Sequence, residues 1–205
     1  MRTPVAVHAW PAGLPHALAD LRGNAGLAVI GVTTPPTASR PEARQAIRHA
    51  LHSTVAALLD QPLSALTLLS NPGQPVQVHA PGANLHIAIS HMPGLSVAAI
   101  CTHGPVGVDV MATPTQDLPD WAQVARDYLG PLADMALQRT LLTERPAAFA
   151  RAWVRLEARL KCAGLGMTEW TPALAVRLDA CSTAALALPL GVSGALAQQG
   201  LARPP

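Results

Sequence analysis

Two charged residues spaced one helical turn apart are the first features of this sequence that could do chemistry. Residues 149–166 read FARAWVRLEARLKCAGLG, in which Glu157 precedes Lys161 by four positions. Lys161 is the single lysine of a chain that also has 13 arginines. A lysine ammonium binds phosphate as a compact point charge, and a carboxylate takes up a metal ion or a proton. The plainer interpretation is an i,i+4 surface ion pair contributing only about 0.3–0.5 kcal/mol.

A second carboxylate, Asp109, stands inside the apolar run VGVDV at residues 106–110. A buried charge is costly unless it has a partner or a metal, so Asp109 is a candidate ligand. The alternative is a strand-end or turn aspartate held by backbone N–H groups. Neither Asp109 nor Glu157 is evidence of a site when taken singly.

Ser90 and His91 end a strand-like run at residues 85–91 and precede a Pro-Gly turn. A lone histidine is more often a hydrogen-bonded structural residue than a catalyst. The sequence has no Ser/His/Asp order, no glycine-rich phosphate loop, no dinucleotide fingerprint and no His/Cys cluster with metal-ligand spacing. Ser90 and His91 can therefore be given a functional role only from the residues around them.

Alternating helical and strand patterns must position these residues. Apolar spacing of three and four predicts amphipathic helices at 41–60 and 146–163, the second ending near Gly164 and Gly166. The more polar positions of the first helix (Arg44, Arg48, His49 and His52) are typical of a solvated stripe. Strands are predicted at 5–10, 27–33, 66–70, 76–78, 85–91, 95–101, 106–110, 174–178 and 185–190. The segment from Gly191 to Pro205 contains little information about its secondary structure.

The composition excludes several classes of partner. A net charge of +2 is too small to indicate binding to nucleic acid or to an anionic membrane. Three widely spaced cysteines suggest neither a disulfide framework nor a zinc cluster, which fits a reducing cytosol. Early prolines interrupt any signal-peptide core, and no apolar run reaches the 18 residues needed to span a bilayer. We therefore expect a soluble cytoplasmic protein.

The order of these pieces resembles the 4′-phosphopantetheinyl transferase superfamily. The chain reads GQP at 73–75, NLHIAISHM at 84–92, VGVDV at 106–110 and then the helical stretch 149–166. In that family a glycine-lysine-proline turn, a strand ending in Ser-His, a Gly-(Ile/Val)-Asp strand and a Trp-x-x-Lys-Glu-x-x-x-Lys helix follow one another. The resemblance runs from about residue 40 to residue 178.

The resemblance implies an α/β (α+β) fold of two pseudo-symmetric halves, each a small sheet packed on a long helix. The length suggests the larger, surfactin-synthetase-activating type, in which both halves lie in one chain. The halves would span residues 1–111 and 112–205, with the active site between them. This layout favours a monomer.

The resemblance also assigns roles by position. Asp109 and Glu157 match the metal-binding carboxylates and would hold Mg²⁺, and Lys161 matches the lysine that contacts the phosphates. These three are the expected catalytic residues. Lys161 would also bind coenzyme A, together with His91, Ser90, Arg48, His52 and Gln74.

The implied reaction transfers 4′-phosphopantetheine from coenzyme A to a serine of an acyl or peptidyl carrier protein. Such carriers serve fatty acid, polyketide and nonribosomal peptide biosynthesis. The carrier would contact helices between the halves, where Leu129, Leu132, Met135 and Leu137 supply apolar side chains, although core packing explains them equally well.

Four positions depart from the family pattern. Met111 stands where many members have a further acid, Leu156 and Gln74 replace lysines, and His52 replaces a phosphate-binding arginine, with Arg48 one turn earlier. Leu156, Gln74 and Met111 together favour a second hypothesis, a weakened or inactive homologue that binds a carrier protein or coenzyme A. An unrelated α/β hydrolase or transferase is a third, disfavoured by the missing nucleophile motifs.

Overall fold

The computed structural model describes residues 3–69, 76–80 and 82–199, and within them it has six α-helices and nine strands. The helices are α1 (Leu14–Arg22), α2 (Arg40–Leu59), α3 (Trp121–Val124), α4 (Pro131–Gln138), α5 (Arg145–Cys162) and α6 (Pro172–Asp179). The strands are β1 (Val7–Ala9), β2 (Leu27–Thr33), β3 (Thr67–Leu69), β4 (Gln77–His79), β5 (His86–Met92), β6 (Leu95–Cys101), β7 (Val106–Ala112), β8 (Cys181–Ala185) and β9 (Val192–Gln199). The chain therefore has the mixed α/β fold that its sequence predicts.

The first sheet has the strand order β1-β2-β6-β5, with β1 parallel to β2 and the other neighbours antiparallel. Its outer face packs on α2 through Ile30, Ile47 and Leu51. Helix α2 begins with a capping box, in which Ser39 accepts from the Glu42 backbone N–H and Glu42 accepts from that of Ser39. The cap fixes where the first turn of α2 starts.

The second sheet has the order β7-β9-β8 and is antiparallel throughout. Its outer face packs on α5, where Val154 and Ala158 meet Ala195 and Ala197 of β9. The layering of long helix on small sheet therefore occurs in both parts of the chain, as the resemblance implies. Strand β7 pairs within this second sheet, and the division of the chain after residue 111 stays a prediction.

The two sheets meet through their inner faces. Val29 and Val97 of the first sheet share a buried cluster with Val108 and Leu196 of the second. Because side chains alternate along a strand, the intervening residues of β7 face α5 instead. Asp109 is one of them, so the strand pattern turns its carboxylate toward α5.

Two segments are wrongly predicted as strands from the sequence, 174–178 and most of 185–190, and two elements, α1 and β9, are missed. The run 174–178, predicted as a strand, lies in α6, which begins where the Thr171 hydroxyl accepts from the Leu174 backbone N–H. The segment after Gly191 contains β9, the central strand of the second sheet. Helix α1 was not predicted, although it has a proline in its first turn and Gly23 at its end. The last strand prediction, 185–190, coincides with β8 only at Ala185.

Among the described residues, no helix combines the length and the apolar character needed to cross a membrane. The predicted turn at 73–75, with Gln74, lies outside the described residues.

Candidate active site

Gly107 lets α5 approach β7 closely enough to bring its charged side chains to Asp109. A Cβ at Gly107 would collide with the Ala158 carbonyl oxygen and lie 2.6 Å from the Cys162 backbone N. Both neighbours are helix backbone, which cannot move aside as a flexible side chain can. Glycine is therefore the residue that this contact requires.

Asp109 is 5% exposed and is held by two side chains. The Lys161 Nζ donates to Asp109 Oδ1 at 2.7 Å and to the Val108 carbonyl oxygen at 3.1 Å. The Ser90 hydroxyl donates to the same Oδ1 at 2.7 Å and accepts from the Val110 backbone N–H at 3.2 Å. A buried carboxylate with these partners is an organised part of a site.

Glu157 lies on the same face of α5 as Lys161 and is partly exposed. Its Oε1 accepts from Trp153 Nε1 at 3.0 Å, and its Oε2 lies 3.9 Å from Lys161 Nζ. Burial first, and the nearby charge of Asp109 second, raise the pKa of Glu157 above its ordinary value. Glu157 and Lys161 do form the predicted ion pair, but Lys161 lies closer to Asp109 than to Glu157.

These side chains line one cleft of ≈ 480 Å³, here named the carboxylate cleft. Strands β5 and β7 contribute Ser90, His91 and Asp109, and α5 contributes Glu157 and Lys161. Five of the predicted site residues are thus brought together from three elements that are remote in sequence.

Arginines at the start of α2 form the opposite wall. Arg40 and Arg44 line the carboxylate cleft, although the sequence pattern placed Arg44 in a solvated stripe and singled out neither. The signal available was the spacing of Arg40, Arg44 and Arg48 at four-residue intervals, which puts all three on one helix face.

Arg48 and His52 line an adjacent groove, into which Arg44 also extends. One ring nitrogen of His52, Nε2, is hydrogen-bonded to the Leu66 carbonyl oxygen at 3.3 Å. These two predicted residues therefore lie beside the carboxylate cleft and do not line it. Arg44 joins the two cavities into one cationic surface.

His91 is kept neutral by its surroundings. Burial, and then the positive charges of Arg44, Lys161, Arg48 and Arg40, lower its pKa to about 4. A hydrogen bond of 2.8 Å joins His91 Nδ1 to Ser96 Oγ and fixes the ring. The four cations that act on one imidazole define a strongly positive field at this cleft.

The departures from the family pattern have different structural meanings. Met111 lines the carboxylate cleft. Leu156 does not: it is 8% exposed and packs in a cluster with Leu160, Leu174 and Leu178 on another face of α5. A leucine at position 156 therefore does not remove a positive charge from the wall of the carboxylate cleft.

Asp109 and Glu157 supply a donor set that fits Mg²⁺. Magnesium binds through one or two carboxylates and completes its octahedron with waters and substrate phosphates. Within the residues that the structure describes there is no metal-binding group of three or more His, Cys, Asp or Glu. Two hard oxygen donors, one with a pKa raised by burial and by the charge of the other, suit a shared cation.

Paired carboxylates and a lysine in a cleft that arginines also line are the groups that suit the binding of a phosphorylated ligand and its metal ion. Residues 105–193 match the sequence model of the 4′-phosphopantetheinyl transferase superfamily, and this stretch is a domain of that superfamily. The match supports a transferase of the phosphopantetheinyl kind, without specifying its substrate. The matched stretch contains Asp109, Glu157 and Lys161. No curated protein sequence gives a significant match to the chain.

Proposed function

We propose that the chain transfers 4′-phosphopantetheine from coenzyme A to a serine of an acyl or peptidyl carrier protein, with Mg²⁺. The observation that carries the proposal is the meeting of Asp109, Glu157 and Lys161 in one cleft with a cationic opposite wall. The superfamily match over residues 105–193 supports the same chemistry.

In the proposed step, the serine hydroxyl oxygen of the carrier attacks the phosphorus that bears the pantetheine group. A new O–P bond forms, and the bridging P–O bond breaks with its electron pair leaving on 3′,5′-ADP. The serine proton passes to Glu157, whose raised pKa makes it a better base than an ordinary glutamate. The products are the holo carrier protein and 3′,5′-ADP.

Asp109 and Glu157 would hold the metal, which when bound would neutralise charge on the pyrophosphate. Lys161 lies 2.7 Å from Asp109 Oδ1 and 3.9 Å from Glu157 Oε2, and its ammonium group would contact the phosphates of coenzyme A. Ser90 orients Asp109 by its hydrogen bond to Oδ1. These contacts hold the charged groups in place before the substrate arrives.

The positive wall of the cleft binds the other phosphates of coenzyme A. Arg40 and Arg44 face the cleft, and Arg48 and His52 continue the surface into the adjacent groove. His91, neutral at pH 7, binds phosphate through a ring nitrogen without adding charge. The role of Gln74 in coenzyme A binding stays a prediction, because Gln74 lies outside the described residues.

The carrier protein would dock on the exposed apolar side chains of α4. Leu132 is 79% exposed and Met135 is 46% exposed, which suits a partner contact. For Leu137 the alternative of core packing holds, because it is buried against Phe149 and Ala125. Leu129 packs partly against the same cluster, which leaves the outer side of α4 as the proposed contact.

The test is incubation with coenzyme A, Mg²⁺ and a panel of apo carrier proteins, read by mass spectrometry of the carriers. A phosphopantetheine mass on at least one carrier is expected, and Glu157→Gln should reduce the rate at least about 100-fold, the usual size of a lost general base. Glu169→Gln, an exposed glutamate that does not line the cleft, is the matched control. No added mass on any carrier with folded protein would refute the transfer.

The same preparation separates the enzyme from the non-catalytic alternative. Lys161 already occupies Asp109 Oδ1, which is the observation that favours a homologue that binds coenzyme A without transferring from it. Calorimetry decides between them: an enzyme of the proposed kind binds coenzyme A more tightly with Mg²⁺, and Asp109→Asn removes the increase. Binding that ignores Mg²⁺, with no mass transfer, identifies a binding protein.

A further inference from the structure

A second cleft, here named the α6 cleft, opens between α5, α6 and the π-helical turn Ala125–Leu129. Its volume is ≈ 350 Å³, and its walls include Tyr128, Leu156, Trp170 and Leu178. Leu156 and Leu178 belong to one buried cluster, against which Tyr128 packs. None of these four residues lines the carboxylate cleft. Aliphatic and aromatic walls of this kind bind an apolar body.

Charged groups also line the α6 cleft: Arg155, Arg159 and Asp179. Within the described residues, the side chains of these three make no hydrogen bond or ion pair, and Arg159 Nε is buried without an acceptor. A buried N–H without an acceptor loses the hydrogen bonds that water would give it. An acceptor brought by a ligand would therefore be favourable beside Arg159.

The charges restrict the kind of acceptor. Two guanidinium groups and one carboxylate leave a formal charge of +1, which a monoanion balances and a phosphate dianion exceeds. The planar guanidinium fork matches the two oxygens of a carboxylate. Arg155 and Asp179 are exposed, whereas Arg159 is partly buried with its Nε shielded from water, so the contact with Arg159 would be the stronger one.

We propose that the α6 cleft binds a small amphipathic monocarboxylate, with its carboxylate at Arg159 and Arg155 and its apolar body against Leu156, Leu178 and Trp170. The volume lies near the lower end for small-molecule sites, which suits a body of about eight carbons. The site does not depend on the proposed transfer reaction, because it shares none of the residues used there.

Two tryptophans distinguish the clefts experimentally, since Trp170 lines the α6 cleft and Trp153 lines the carboxylate cleft. The full chain is labelled with 5-fluorotryptophan, and its ¹⁹F resonances are assigned with Trp170→Phe and Trp153→Phe. Titration with sodium octanoate should shift the Trp170 resonance saturably, with a Kd of about 1 mM or tighter for a ligand of this size. Coenzyme A should not displace the octanoate.

Variants of one helix test the carboxylate contact. Arg159→Gln should weaken octanoate binding by about tenfold or more, since the variant loses the charge-assisted hydrogen bonds to the carboxylate. Arg151→Gln, exposed on the same helix and outside the α6 cleft, should leave binding unchanged. Neutral 1-octanol should bind more weakly by a similar factor, and inorganic phosphate should not compete.

Three outcomes would each overturn the proposal. One is the absence of a saturable Trp170 shift in folded protein. Another is equal octanoate affinity in the wild type and Arg159→Gln. The third is a shift of Trp153 that coenzyme A reverses, which would place the octanoate in the carboxylate cleft.

Discussion

At the scale of single residues, Asp109 shows how a buried charge becomes part of a site. Its Oδ1 accepts from both Lys161 and Ser90, so the carboxylate is held in place before any ligand binds. Sequence context identified the cost of burying Asp109 and the need for a partner. It did not identify the partner, because Lys161 lies 52 residues away and the contact depends on how α5 packs.

Replacement of Lys161 should therefore affect stability and ligand binding separately. Lys161→Met leaves Asp109 buried without its cation, and the free energy of unfolding should fall by about 1–2 kcal/mol, less than for a fully buried pair because Lys161 is partly exposed. Coenzyme A affinity should fall at least about tenfold. Urea unfolding and calorimetry measure the two effects.

The double variant Lys161→Met/Asp109→Asn completes the cycle. It should recover most of the lost stability, because the uncompensated charge is gone, but none of the coenzyme A affinity. Stability that stays low in the double variant would show that Lys161 acts through packing alone.

His91 gives a prediction about pH. Its pKa is about 4 in the folded protein against an ordinary value of 6.5, so between these values the unfolded chain binds a proton that the folded chain does not. The contribution of His91 to stability is thus present above pH 6.5 and is lost as the pH falls toward 4. Urea unfolding should give a shallower decline over this window for His91→Gln than for the wild type.

The exposed His79 provides the control for this measurement. His79→Gln should keep the wild-type decline. Equal slopes for the wild type and His91→Gln would mean that burial and the four neighbouring cations do not lower the pKa of His91.

At the scale of elements, the fold depends on how closely α5 lies against β7. Gly107→Ala would push a methyl group into the backbone of α5, and the free energy of unfolding should fall by about 2 kcal/mol or more. Displacement of α5 also moves Glu157 and Lys161 from Asp109, so coenzyme A affinity should fall in the protein that remains folded.

Gly166 offers a matched substitution, since nothing lies within 4 Å of a Cβ placed there. Gly166→Ala should change stability by no more than about 0.5 kcal/mol. Thermal unfolding of the two variants is sufficient for the comparison. A Gly107→Ala protein as stable as Gly166→Ala would show that the close approach is not needed.

The elements that sequence could predict are those with strong periodicity. The helices at 41–60 and 146–163 and the strands carrying Ser90 and Asp109 are present because their apolar spacing follows the burial that they need. The run 174–178 was misread because a short apolar stretch fits strand and helix alike, and the cap at Thr171 was the signal that decides.

Strand β9 could not be predicted from its residues. VSGALAQQ is poor in the β-branched and aromatic residues that favour strands, yet it pairs on both sides, with β7 and β8. Tertiary pairing therefore overrides local propensity there. The same reasoning explains Arg40 and Arg44: they resemble solvated side chains until β5 and β7 form the opposite wall of the cleft.

At the scale of the whole molecule, the small net charge does not show that positive charge is concentrated at one cleft. The chain has a formal charge of only +2, which excludes a general affinity for polyanions. Burial, and then four cations around one cleft, nevertheless lower the pKa of His91. Recognition of a polyphosphate by charge is therefore expected at this cleft and should depend on ionic strength.

Coenzyme A binding should weaken as salt is added, because the phosphates meet a partly exposed cationic wall. Raising the ionic strength from about 0.01 M to about 0.1 M shortens the Debye length from about 30 Å to about 10 Å. We expect the affinity to fall roughly tenfold over this range, as calorimetry without Mg²⁺ would measure, since screening removes on the order of 1.4 kcal/mol.

The double variant Arg40→Gln/Arg44→Gln should bind more weakly at low salt and lose much of this dependence. Arg139→Gln is the control: Arg139 is exposed at the end of α4 and is not among the charges that lower the pKa of His91. If the wild-type affinity did not change with salt, apolar contacts with Met92, Met111 and Trp153 would carry the binding instead. If Arg139→Gln flattened the dependence as much as the α2 variant, the field would belong to the whole surface and the cleft would not be its focus.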